Sequence, residues 1–336
     1  MKKFSHIGFD YLRLLRLQTG AATTTTPILG ALVMGQRNIE DFIILFFIAL
    51  FYHIFGFVLN EYADIEVDKK SVDLNNKPLV KGSISKNSAL TIISISLLIT
   101  IILTVNFYFN IYSVSFLFAS LFFGAIYDVF GKRIPGSDFI LGVSFFFLCL
   151  IGASTISHNF NTLVFVISFI YYIQISFNNS VEGGLKDADH DTLAGAKTLA
   201  SKMGVTVINK RVIIPVKFRS FAIFLRLLFI VGVVYILLSL KIMPNFDQNI
   251  LYTSILIFLL IVQLVTLRRF LLIEKFDRAF LKRLFSIHEI ASYFLVIFAL
   301  FPLFGTDITI ILLLFPSIWY LIFNVLLYGK VLQPQV

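Results

Sequence analysis

The apolar residues of this chain fall into ten stretches, each close to the roughly 20 residues that a helix needs to cross about 30 Å of hydrocarbon. They run at about Leu17 to Met34, Phe42 to Leu59, Ala89 to Phe107, Ile111 to Tyr127, Phe139 to Ile156, Thr162 to Phe177, Phe221 to Leu240, Ile250 to Leu267, Ile290 to Phe304 and Ile308 to Tyr328. Charged residues lie between them. This pattern excludes a soluble globular chain, as does a composition 58% apolar and only 14% charged with a mean hydropathy of +0.90. A membrane barrel is excluded too. Segments such as ALTIISISLLITIILTVNFYF are apolar all round instead of alternating every second residue. The expected fold is an all-α polytopic membrane protein. Its first stretch, containing QTGAATTTTPILG, is polar for a lone span, but Thr and small residues let helices approach closely inside a bundle.

With the N-terminus inside, all of the 28 Lys and Arg except Arg37 and Lys241 fall on inside segments or at their edges. Miscounting one helix would flip every later loop, so this asymmetry supports the span count and predicts that both termini are cytoplasmic. The N-terminal MKKFSHIGFDYLRLLRLQ has Asp10, Arg13 and Arg16 breaking its apolar run, which predicts an interfacial amphipathic helix and not a cleaved signal. The single Cys, Cys149, lies mid-span and is read as core packing. The net charge of +9 belongs to the inside face, where it attracts anionic lipid or an anionic substrate; no nucleic-acid partner is implied.

Two inside segments are loaded with acids. In NEYADIEVDKK, following the second span, Asn60, Asp64 and Asp68 recur every four residues and line one face of a helix leaving the membrane. His53 lies deeper on nearly the same face, where it would either line a cavity or, the reading preferred, be a hydrogen-bonded core histidine. In NNSVEGGLKDADHD, following the sixth span, Asp187 and Asp191 are again four apart, with Asp189 between them and Asn178, Asn179 and Glu182 upstream. Such oxygens are what Mg2+ takes, usually one or two from protein and the rest from water and phosphate. Flanking Lys69, Lys70 and Lys186 would make either cluster alone a salt-bridged helix end. Two clusters on one predicted membrane face favour a metal and diphosphate site. Its charge also calls for basic groups, and YDVFGKRIPG after the fourth span supplies Lys132 and Arg133, with Tyr127 at the membrane edge.

Together these residues resemble the UbiA superfamily of intramembrane prenyltransferases, whose signatures are N-x-x-x-D-x-x-x-D after the second span and D-x-x-x-D after the sixth. KDADHDTLAGAKTLA is especially similar to the quinone-pathway branch, and LNNKPLVKGSIS resembles the N-R-P-L-x-x-G-x-I-S segment, with Lys77 where Arg is usual. YDVFGKR has one residue more than the family's Y-x-x-x-K-R loop. The matched segments cover roughly residues 10 to 240, leaving 241–336 as additional spans of one transmembrane domain over 1–336. The resemblance implies a UbiA-type bundle of nine to ten transmembrane helices around a central cavity. It implies that Asp64, Asp68, Asp187 and Asp191 hold Mg2+ on a polyprenyl diphosphate, with Asn60 completing the catalytic set. Lys77, Tyr127, Lys132, Arg133, Asn178, Asp189 and Lys197 are then the candidate substrate contacts. Ionisation of the allylic C–O bond would leave a carbocation stabilised by diphosphate and aromatic faces, to be attacked by an acceptor, expected to be an aromatic quinone precursor.

Three other readings compete. A transporter would carry acids at span centres or paired broken helices, and the sequence has neither. An intramembrane terpene cyclase, or geranylgeranyl transfer to a glycerol-phosphate lipid, would keep the acidic segments and change the reaction. The basic, amphipathic RRFLLIEKFDRAFLKRLFSIHE reads as an interfacial segment first and an acceptor-site contributor second.

Overall fold

A computed structural model describes residues 2–69, 74–131, 133–195, 197–241 and 250–332, with the side chains of 2–6 and 192–194 excepted. Each of the ten apolar stretches is mainly helical, and among the described residues eight helical runs are long and apolar enough to cross a bilayer. The chain divides into two compact units, one made of residues 1–131, 143–160 and 318–331, the other of 132–142, 161–317 and 332–336.

The first unit opens with α1 (Lys2–Leu14) and α2 (Leu17–Val33), followed by α3 (Ile39–Ala63), the short α4 (Ile65–Asp68), α5 (Lys86–Tyr108) and α6 (Ile111–Phe130). It takes in α7 (Ser137–Ser154) from Val143 onward. Helix starts follow local sequence: Asn38, Ser85 and Asn110 each accept a hydrogen bond from a backbone N–H of the first turn of α3, α5 and α6. α3 is the centre of the unit and packs on α2 and α5. In α2 the hydroxyls of Thr24, Thr25 and Thr26 bond back to carbonyls of their own helix, so these buried polar residues cost little. Small residues then set the spacing. A Cβ on Gly30 would stand 2.0 Å from the Cys149 carbonyl oxygen, and one on Gly152 1.7 Å from that of Pro27, so α2 and α7 touch backbone to backbone. Cys149 is buried in this contact. His53 is the expected core histidine, with Nδ1 at 3.0 Å from Thr23 Oγ1 and Nε2 at 3.1 Å from the Arg16 carbonyl.

The second unit holds α8 (Thr162–Phe177), a π-helical turn over Asn178–Gly183, α9 (Gly184–Lys186), α10 (Ala188–Ala194) and α11 (Leu199–Lys202). A hairpin of β1 (Thr206–Ile208) and β2 (Arg211–Ile213) follows, then α12 (Val216–Ser239), α13 (Ile250–Leu271), α14 (Arg278–Ala299) and most of α15 (Phe301–Tyr328). Here the structure departs from the sequence reading in five places. The sixth span does not end at Phe177: the π turn and α9 carry the helical run on to Lys186, putting Asn178 and Glu182 inside it. The segment between the sixth and seventh stretches, to which the sequence reading assigns no strands, contains the hairpin, whose two-residue turn has Asn209 and Lys210 at φ 50° and 62°, the left-handed pair that matches strand twist. Arg226, counted with the inside charges, is buried well inside α12. The ninth and tenth stretches break earlier than expected, at Leu300, and α15 kinks at Gly305, where φ is 75°. The RRFLLIEKFDRAFLKRLFSIHE segment is likewise split, between the end of α13, an extended stretch and α14, with His288 fully buried. Outward faces carry Ile95, Leu98 and Phe118 in the first unit and Val231 and Phe258 in the second, all exposed, as suits lipid.

Candidate active site

The first acidic segment is built on one helical ladder. The Asp64 N–H donates to the Asn60 carbonyl at 3.0 Å and the Asp68 N–H to that of Asp64 at 2.8 Å, so the three residues stack turn over turn across the slight break between α3 and α4. Asp68 is almost fully buried, at 1% exposure, while Asn60 and Asp64 are partly open. The following NNKPLVKGSIS folds as a set of turns that return two lysines to the helices. Lys77 Nζ lies 2.8 Å from Asp68 Oδ2 and 3.0 Å from Glu61 Oε1. Lys81 Nζ lies 2.8 Å from Asp10 in α1. Burial alone would push the Asp10 carboxyl up, but the hydrogen bonds of Lys81 and Ser83 and the charges of Lys81 and Arg13 outweigh it and hold it below the usual value.

Three residues at this end of the unit were not picked out from the sequence. Arg16 pairs with Glu61 and lies over the Phe57 ring at 5.3 Å. Asp128 on α6 reaches α3 at Gly56 and sits within electrostatic range of Asp64. Glu61 and Asp128 each adjoin a residue that had been singled out, Asn60 and Tyr127, so the signal was present as one more acid beside a motif. Tyr127 is partly buried; Lys132 lies outside the described residues, and Arg133 is exposed.

In the second unit the Asp191 N–H donates to the Asp187 carbonyl at 2.9 Å, giving the same turn-over-turn pair. Asp187 is partly exposed, with Lys186 Nζ 3.3 Å from its carboxylate, and Asp191 accepts from the Thr198 hydroxyl at 3.1 Å. Asp138 at the start of α7 is within electrostatic range of Asp191. Asp189 is engaged elsewhere. Its carboxylate is paired with Arg278, the first residue of α14, which also donates to the ring nitrogen of His190 at 2.8 Å and the Lys186 carbonyl at 3.3 Å. One guanidinium thus braces three positions of the segment from a helix nearly a hundred residues on, which no local pattern could reveal. Asn178 is buried between Gln174, which donates to it at 2.6 Å, and Glu289, to which it donates at 3.2 Å. Lys197 is exposed. A cleft of about 780 Å³ opens beside Asp189, lined by Lys210, Lys275, Phe276 and Phe280 among others.

Each segment offers carboxylates in the small number a Mg2+ draws from protein, and among the described residues no group of three or more His, Cys, Asp or Glu gathers as a metal cage. The ammonium of Lys77 against Asp68 and Glu61 shows how strongly the first segment attracts a cation. The donor set is hard oxygen throughout and fits Mg2+.

Residues 24–287 match the UbiA prenyltransferase family. The chain is 28% identical over 215 residues to 4-hydroxybenzoate octaprenyltransferase of Francisella tularensis subsp. tularensis, covering 62% of this chain and 71% of that protein. The enzyme of the same description from Blochmanniella floridana is 28% identical over 201 residues, 59% of this chain and 70% of its own. Among solved structures, a UbiA homolog from Archaeoglobus fulgidus bound to GPP and Mg2+ superposes with a TM-score of 0.59 at 17% identity, covering 87% of this chain and 99% of that one. A digeranylgeranylglyceryl phosphate synthase does so with a TM-score of 0.55 at 21% identity, over 89% and 99%. The apolar helices, the two acidic turns and these likenesses agree: this chain belongs to the UbiA prenyltransferase family and is a multi-pass membrane prenyltransferase.

Proposed function

We propose that the protein transfers a polyprenyl group from an allylic diphosphate to an aromatic quinone precursor within the membrane, with Mg2+ as cofactor. The observation that carries the reading is the repeated pair of carboxylates stacked on consecutive helical turns, Asp64 over Asp68 and Asp187 over Asp191. These four would hold Mg2+, which when bound neutralises a diphosphate and makes it a better leaving group. Asn60 offers an amide to a diphosphate oxygen; Lys77, Lys132 and Arg133 offer positive charge. Lys77 is held at the first segment already and is the basic contact most economically recruited. Tyr127 and Lys197 are kept as substrate contacts. Asn178 and Asp189 act on the substrate through the network and the brace that hold them.

The aromatic acceptor is supported by the relatives described as 4-hydroxybenzoate octaprenyltransferases and by the quinone-type KDADHDTLAGAKTLA stretch. The distribution of Lys and Arg supports cytoplasmic termini and cytoplasmic acidic segments. Purified protein given Mg2+ and a panel of prenyl diphosphates should release diphosphate when 4-hydroxybenzoate is present and yield a prenylated aromatic acid by mass spectrometry. Asp64→Ala or Asp191→Ala should abolish release. Undiminished turnover in both variants would overturn the site, and a product formed only on a glycerol phosphate would overturn the acceptor.

A further inference from the structure

Inside the second unit lies a cluster of buried polar groups centred on Arg226. Arg226 on α12 is 2% exposed, and its guanidinium lies 4.2 Å from the Phe177 ring centroid and 4.8 Å from that of Phe229. Its Nη1 donates to Gln174 at 3.1 Å, Ser292 at 3.2 Å and Gln263 at 3.5 Å, while Nε and Nη2 have no partner. Glu182, on the π turn, is fully buried with neither carboxyl oxygen partnered, and both Arg226 and Glu289 lie within its electrostatic range. His288 is fully buried and stacked on Phe177. Its Nδ1 lies 2.6 Å from Thr266 Oγ1, whose own hydrogen is directed to the carbonyl of Val262 or Gln263. Nδ1 is therefore the protonated nitrogen, and Nε2 is left as an acceptor with no partner.

So many unmet donors and acceptors are not left dry among membrane helices. What they lack identifies the occupant. Arg226 and Gln263 Nε2 offer hydrogens, and Glu182 and His288 Nε2 offer lone pairs. A bound anion would match the first pair and leave the lone pairs of Glu182 and His288 unmet; a bound cation would match Glu182 and His288 and leave the hydrogens of Arg226 and Gln263 unmet. Water is the small molecule that donates and accepts alike, and buried waters typically make about three hydrogen bonds to such groups. We propose that Glu182, Arg226, Gln263 and His288 form an internal water site in the helix bundle of the second unit. The π turn is part of it. Widened turns of this kind recur at functional sites, and this one leads straight into the second acidic segment, where the Asp187 N–H donates to the Gly183 carbonyl at 2.9 Å. Water here lets Glu182 keep its place in that turn without direct pairing, so the site helps hold Asp187 at its position.

The test is hydroxyl-radical labelling by X-ray radiolysis of the full-length protein in lipid nanodiscs, read by mass spectrometry. Bound water next to a side chain raises its labelling even where bulk solvent does not reach. Phe177, Phe229 and His288 should be labelled several-fold faster than Phe218, which is equally buried in the same unit. The joint change Glu182→Leu with Arg226→Met, which removes both polar side chains together, should bring them down to the Phe218 rate. Glu182→Gln keeps donor and acceptor capacity and should retain most of the labelling. Equal rates for His288, Phe177 and Phe218 in the unaltered protein would mean that Glu182 and Arg226 are dry and overturn the proposal, whether or not the double variant folds. Unchanged labelling in a folded double variant would overturn it as well.

Discussion

Lys77 Nζ stands 2.8 Å from Asp68 Oδ2, so a residue of the loop after the first acidic segment supplies the positive charge which that segment's most buried carboxylate needs. A metal ion drawn to Asp68 must share it with this ammonium or displace it. Lys77→Met should therefore tighten binding of Mn2+, as a probe for Mg2+, in the absence of diphosphate by on the order of 1 kcal/mol, about fivefold. The same variant should raise the KM for prenyl diphosphate, because one basic contact is lost. Electron paramagnetic resonance titration reads the first effect and steady-state kinetics the second. Weaker metal binding would show that Lys77 supports the metal site instead of competing for it.

Arg278 offers a different kind of prediction, since it holds the segment that carries Asp187 and Asp191 at Lys186, Asp189 and His190. Loss of a residue that orients metal ligands through their neighbours typically costs about 10 to 100-fold in metal affinity. Arg278→Gln should shift the Mg2+ dependence of turnover upward by about that factor while kcat at saturating Mg2+ changes little. Arg278→Lys should recover part of the loss, because an ammonium still neutralises Asp189 but cannot fork across three partners. A fall in kcat at saturating Mg2+, with unchanged Mg2+ dependence, would refute the positioning role.

These two cations show what could be read from sequence. Lys77 was visible because it sits in a segment with its own pattern, as were the four-residue spacings of Asp64 with Asp68 and Asp187 with Asp191, which are local helical geometry. The spans were visible because hydrocarbon demands length and apolarity of each helix separately. Arg278 was not, because its partners lie about ninety residues away and its own surroundings read as a basic interfacial stretch. Arg226 was hidden for the opposite reason: a positive charge near a span end looks like an orientation signal, and only packing shows it to be buried on two aromatic rings. The hairpin escaped because its strands have three residues each and take support from Val212 N–H donating to the Glu274 carbonyl, a tertiary contact.

The link between α1 and the turn after the first acidic segment should respond to acid. Asp10 is held below the usual carboxylate value by Lys81 and Arg13, so its stabilising effect is fully present above the unfolded value, about 3.9, and is lost as pH falls through the lower folded value. The melting temperature of Asp10→Asn in nanodiscs should lie below that of the unaltered protein at pH 7. The gap should stay constant down to about pH 5 and shrink as the pH falls below the unfolded value. A gap that closes instead between pH 7 and 6 would assign the effect to another group.

The α2 to α7 contact makes the sharpest packing prediction, because two glycines of one helix differ only in what faces them. At Gly30 a Cβ would overlap the Cys149 carbonyl oxygen at 2.0 Å, and backbone cannot step aside as a side chain can. At Gly20 the nearest atoms are side-chain atoms of Leu50 and Trp319 at 3.7 Å, an ordinary contact. Both positions are helical, so alanine has the same intrinsic advantage at each, up to about 1 kcal/mol. Gly20→Ala should therefore be neutral or slightly stabilising. Gly30→Ala must push α2 away from α7, which costs at least about 1 to 3 kcal/mol and loosens the helix bearing Pro27 and the four consecutive threonines. Denaturation in mixed detergent micelles compares the two directly. Equal stability of the two variants would mean that α2 and α7 do not pack at backbone distance, and with that the close-approach role of the small residues in the first stretch would fail.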